Sequence, residues 1–146
     1  MAIERDFIEL NRKATERIRP MLQLTEAQFA RRVGEHWTVA MALAHLGFWE
    51  RRVIFVLEGT AREGKVYELE LHGALNDLLL PYWAAIPGRE AARLALEMAD
   101  EADRRLEEFP AELLERVYVY NPRWVNRYLH RNTHLDEVAE VLKSGG

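Results

Sequence analysis

Apolar positions recur at three- and four-residue steps along most of the chain, the spacing of helices that bury one face. Phe7, Leu10, Ala14, Ile18 and Met21 set a first predicted helix over residues 3–22, with Pro20 bending or ending it. Thr25 followed by Gln28 reads as a capping box that opens a short turn to about Arg32, and Gly34 then breaks the chain. Thr38 is placed to cap a second helix over 39–57, with Gly59 as its stop. Residues 59–72, GTAREGKVYELELH, have no helical period and read as a loop.

Leu75, Leu78, Leu79 and Tyr82 suggest a short helix before Pro87-Gly88. Ala91, Leu94, Ala95, Met98, Ala102 and Leu106 form the stripe of a third long helix over 89–108, ended by Pro110. VYVY at 117–120 has strand character but nothing to pair with. Asn121-Pro122 reads as cap and first turn of a fourth long helix reaching Lys143. The pattern predicts an all-α fold, a four-helix bundle with a long connection between helices 2 and 3, in one domain over 1–146. Helix 2 is apolar around most of its circumference, from Val39 to Leu57, which places it centrally or against a second subunit.

Composition narrows the function classes. A net charge of −4, with basic residues dispersed among acids, gives no broad attraction to nucleic acid. The absence of cysteine rules out disulfides, thiolate ligands and an intrinsic thiol nucleophile. MAIERDFIEL has no apolar signal core, and no apolar stretch is long enough for a membrane span, so a cytoplasmic protein is expected. The mixed charges at 50–52 (ERR) and 101–105 (EADRR) read as solvated faces.

The distinctive chemistry lies in histidine. On a helical wheel His130 and His134 stand about 40° apart, both bordering the apolar arc, with Asn132, Asp136 and Lys143 opposite. Two imidazoles facing a core need partners. The i, i+4 spacing lets them grip one metal ion, although Arg131 after His130 excludes the glutamate-bearing metalloprotease motif. His45 offers a third imidazole from the middle of helix 2, flanked by Ala42 and Trp49. Three imidazoles from two helices leave coordination positions open, as catalytic sites require. His36 and His72, near predicted helix boundaries, fit surface or capping roles and stand as alternative third ligands. Trp37 and Trp49 read as core. Affinity for an ion on imidazoles is expected to fall below roughly pH 6.5.

Three stretches, HWTVAMALAHLGFWERR at 36–52, LHGALNDLLLPYW at 71–83 and YLHRNTHLDEVAEVL at 128–142, resemble the DinB/YfiT-like superfamily, which includes the N-terminal domain of mycothiol-dependent maleylpyruvate isomerase. The pairing of AHL on helix 2 with HRxxHLDE on helix 4 is its most specific element. The resemblance implies a four-helix bundle, usually a homodimer, with one divalent ion per chain, zinc or nickel, on His45, His130 and His134. The chain ends at Gly146, too soon for the isomerase's additional C-terminal domain, so scaffold and metal carry over ahead of that exact reaction.

Three functions follow as expectations. One is a metal-dependent transferase that activates a small external thiol toward an electrophile, with Glu137 and Arg127 near His130 on the wheel to hydrogen-bond ligands or orient an acidic substrate. The second is a hydrolase using metal-activated water. The third is a non-catalytic, stress-related binding module with a structural metal. Neither nucleic acid nor membrane is expected as a partner.

Overall fold

The computed structural model describes residues 3–144; residues 1–2 and 145–146, at the two ends of the predicted domain, lie outside the described residues. Helices dominate: α1 (Phe7–Ile18), α2 (Glu26–Phe29), α3 (Val39–Glu63), α4 (Leu75–Leu78), α5 (Leu80–Ala84), α6 (Gly88–Glu108), α7 (Ala111–Tyr120) and α8 (Tyr128–Ser144). The all-α class therefore holds. The long helices pack α3 on α6, α1 on α6 and α8, and α8 on α3. No described helix is long and apolar enough to cross a membrane.

Several sequence signals act as their chemistry requires. Thr25 and Gln28 form the capping box of α2, and the Thr38 hydroxyl accepts from Met41 N–H at the start of α3. Pro20 ends α-helical geometry, and the chain continues as a 3₁₀ turn over Arg19–Gln23. Pro81 divides the expected short helix into α4 and α5.

Four features differ from expectation. VYVY is the last turn of α7, whose Leu114 and Val117 are buried; with no strand beside it, helical packing overrides β propensity. Asn121 does cap, accepting from Arg123 N–H, but only the 3₁₀ turn Pro122–Trp124 follows. The final helix starts later, where Asn11 of α1 accepts from Tyr128 N–H. A two-stranded hairpin, β1 (Arg32–Val33) with β2 (Trp37–Thr38), turns through Gly34 at φ +69°.

The fourth difference is the end of α3. The helix passes through Gly59 and stops at Gly64, whose φ of +72° and N–H bond to Thr60 make it the real terminator. Gly59 is required for a different reason. A Cβ there would lie 2.5 Å from Tyr67 Cγ, so the missing side chain is what lets the returning chain pack onto α3.

Buried apolar residues form two clusters. One holds Ile18, Leu43, Leu46, Ala99 and Leu135; the other holds Phe7, Val53, Leu57, Leu106 and Val125. Between them, in sequence, each long helix or its lead-in turn carries buried polar groups: Asn11 and Thr15 in α1, Glu50 in α3, Asp103 in α6, and Arg127 and Arg131 at α8. The charge runs expected to be solvated are therefore partly core. Glu50 follows Leu46 by four residues and precedes Val53 by three, so helical geometry turns it inward with them.

Gly59→Ala tests the close packing of Tyr67. Helix propensity alone favours alanine by about 1 kcal/mol, whereas overpacking costs about 1–3 kcal/mol. Net destabilisation is expected in urea unfolding, and Tyr67→Ala in the same chain should relieve it.

Candidate metal centre

Helix α3 supplies His45 and helix α8 supplies His130 and His134. One ring nitrogen from each lies within 4.8 Å of the others. His45 Nε2 and His130 Nε2 are 3.1 Å apart. Two nitrogens on one tetrahedral ion at about 2.0–2.1 Å are separated by about 3.3–3.4 Å, so this pair needs little movement to share one. His134 Nδ1 is 2.9 Å from Glu137 Oε1. As a donor to that carboxylate it keeps Nε2 free as the ligating atom, an arrangement that orients metal-binding histidines. A set of three neutral imidazoles suits zinc and its neighbours, and the residues present fit such an ion.

The protonation state fits too. Burial first, then the charges of His134 and Arg127, lowers the pKa of His45 to about 3, with Asn76 opposing. Burial, then Arg127 and the other two histidines, lowers His130 to about 2. These two rings stay neutral well below pH 6.5, which moves their competition with protons to more acid pH than the sequence suggested.

Aromatic rings wall the cluster. Trp37, carried by the hairpin, stacks on His134 with centroids 5.5 Å apart and meets His45 at 4.4 Å. Trp83 from α5 presents its edge to His45 at 5.2 Å. Trp49 points its Nε1 at Asn76 Oδ1, 3.0 Å away. Trp37 and Trp49 are half-buried walls of the site, where a core role was expected. His36 and His72 are absent from the cluster. His36 is exposed in the hairpin turn, and His72 Nδ1 caps the chain by accepting from Ala74 N–H.

Beneath the imidazoles lies the ionic layer that sequence reading missed. Arg127 binds Glu50 through Nε and Nη2 at 3.1 and 2.9 Å. Arg131 binds the same carboxylate at 3.0 and 2.8 Å. Its Nη1 also donates to Asn11 O and Thr15 Oγ1, and lies 2.8 Å from Asp103 Oδ1, close but off the hydrogen-bond direction. Burial would raise the Glu50 pKa, yet Arg127 and Arg131 together bring it down to about 2. Burial raises that of Asp103 against the pull of Arg131. Arg127 Nη2 is 3.5 Å from His130 Nδ1, which ties the layer to the cluster.

A helical fold with three converging imidazoles, built from a central helix and the last helix, defines a class of candidate metal-binding domains. Within it, the chain belongs to the mycothiol maleylpyruvate isomerase N-terminal domain family, whose match covers residues 12–138, and so to the DinB/YfiT-like superfamily. Comparison with curated proteins and with solved structures gave no match.

The pKa values fix the acid response. Between about pH 6.5 and 3 the unfolded chain binds protons at His45 and His130 that the folded, metal-stripped protein does not. Stability therefore falls with pH in that window, by about 1.4 kcal/mol per unit for each imidazole. Glu50 acts with the same sign, its contribution full above about pH 4.5 and lost as pH falls through about 2, whereas Asp103, whose pKa is raised, acts with the opposite sign. Urea midpoints of metal-stripped protein should drop from pH 6.5 downward. Flat midpoints from pH 7 to 4 would contradict the buried, neutral state of both rings.

Proposed function

We propose that this chain is a metal-dependent transferase acting on a small external thiol. In this reading the four packed long helices are the DinB/YfiT-like four-helix bundle, with residues 64–87 as its long connection. One divalent ion, zinc or nickel, is held by His45, His130 and His134. The observation that carries the reading is the convergence of three imidazole nitrogens within 4.8 Å. When bound, such an ion supplies Lewis acidity that favours the deprotonated, nucleophilic form of a thiol.

The chain's own residues do the remaining work. His45 and His130 are kept neutral by burial and so are ready to ligate. Glu137 holds the His134 ring and also lines an opening of about 260 Å³ beside the hairpin, together with Trp37 and His134. In this reading Glu137 is the carboxylate that takes the proton of an incoming thiol. The chain has no cysteine to compete with that thiol. Family membership supports a thiol-linked reaction over a closed structural site.

Two tests apply. Metal analysis should find one ion per chain, strongly reduced in His45→Ala, His130→Ala and His134→Ala and unchanged in His36→Ala and His72→Ala. Small thiols titrated into the cobalt or nickel form should then shift its ligand-field spectrum. Full retention of metal in His130→Ala would end the ligand assignment. Silence toward every thiol with metal-dependent ester or amide hydrolysis would make the protein a hydrolase, and inertness in both assays a binding module.

We further infer a twofold homodimer, in line with the apolar breadth of α3, which leaves Phe55 exposed. Light scattering that returned 17.1 kDa, the mass of one chain, across a wide concentration range would overturn it.

A further inference from the structure

The His130 side of the cluster opens differently from the hairpin side. A recess of about 120 Å³ reaches His130, and its lining includes three arginines, Arg52, Arg123 and Arg127, with no aspartate or glutamate. Arg127 is already paired with Glu50. Arg52 and Arg123 have no carboxylate within ion-pair distance among the described residues, although the charge of Glu70 acts on Arg52 from further off. Arg52 is instead clamped between the Trp49 and Trp124 rings, 4.9 and 4.8 Å from their centroids, with Nη1 on Leu69 O.

This clamp holds a guanidinium rigidly without neutralising it. Arg52 Nε is buried with no acceptor among the described residues, and so is Trp124 Nε1. The Asn121 oxygen in the lining is taken by Arg123 N–H. Positive charge thus gathers around a space whose lining carries no carboxylate. Like charges gathered this closely repel unless an anion joins them. Guanidinium forks match carboxylate and phosphate oxygens in geometry. An open recess of about 120 Å³ suits one such group on a short stem.

We propose that this recess binds the oxyanion group, carboxylate or phosphate, of a small-molecule ligand and directs the rest of that ligand toward His130. Taking the ligand as the electrophile of the thiol transfer rests on the function proposed above; the anion site itself rests only on Arg52, Arg123 and the lining. Arg52 and Arg123 are then positioning residues for substrate, and the thiol would approach from the hairpin side.

The full chain, metal-stripped and zinc-loaded, is titrated separately with succinate and with inorganic phosphate, followed by calorimetry and by tryptophan fluorescence, since Trp49 and Trp124 line the recess. Saturable binding of at least one is expected, weakened by salt. Arg52→Gln and Arg123→Gln should each reduce affinity about tenfold, the size of one lost charged hydrogen bond, with zinc content and circular dichroism unchanged. Arg123 is exposed, so its variant separates anion binding from folding. The anion that binds more tightly identifies the source chemistry. Absence of saturable binding by both anions, or equal affinity in wild type and both variants, overturns the site. Loss of zinc binding with anion binding intact would instead remove the metal-dependent reading and leave the recess standing.

Discussion

One guanidinium joins the four long helices. Arg131, fully buried on α8, reaches Asn11 and Thr15 on α1, Glu50 on α3, and Asp103 and Ala99 on α6. A buried ion pair adds little net stability compared with a well-packed apolar replacement, but breaking one side of it costs about 3–5 kcal/mol. What these bonds impose is register. Glu50 lies five residues beyond His45, and Arg131 is the neighbour of His130, so locking Glu50 to Arg131 fixes the two imidazoles opposite each other. Sliding α8 by one turn would strand both charges in an apolar interior.

The same layer divides the molecule's chemistry. Apolar packing on either side of it supplies the driving force for folding, while the layer sets the alignment that packing alone leaves loose. Arg127 belongs to both worlds: it neutralises Glu50 inside and shows a positive edge to the recess beside His130. The imidazoles sit at this boundary, with His45 and His130 buried enough to stay neutral and the cluster open on two sides of unlike character, one lined by Trp37 and Glu137, the other by arginines.

Helix identity and the three histidines were legible because each rests on local periodicity. The wheel relation of His130 and His134 and the lone histidine of an apolar helix needed no distant partner. Their fine environment was less accessible. Glu50 and Asp103 look like members of solvated charge runs, yet each keeps the three- and four-residue step with apolar neighbours; that step was the available signal. Gly59 looked like a stop because glycine ends helices and also permits close contact, and only Tyr67, distant in local pattern, decides between these roles. Helix α8 starts late because its first donor is satisfied by Asn11, which no local cap rule could reveal. The arginine recess joins the middle of α3 to the turn before α8, so its membership is a property of the fold alone.

The borrowed cap on α8 bears on how the protein is made. The bonds that seat the imidazole helix span 117 residues from Asn11 to Tyr128 and 120 from Asn11 to Arg131. During synthesis α1 emerges well before α8 and has to wait for the residues between them before it can hold it. An amino-terminal fragment carries His45 alone, and a free carboxy-terminal segment carries His130 and His134 on a helix without its start signal. A helix in a protein draws most of its stability from tertiary packing, which such a segment lacks. A growing chain therefore holds no assembled three-imidazole cluster, which comes together only once α8 docks.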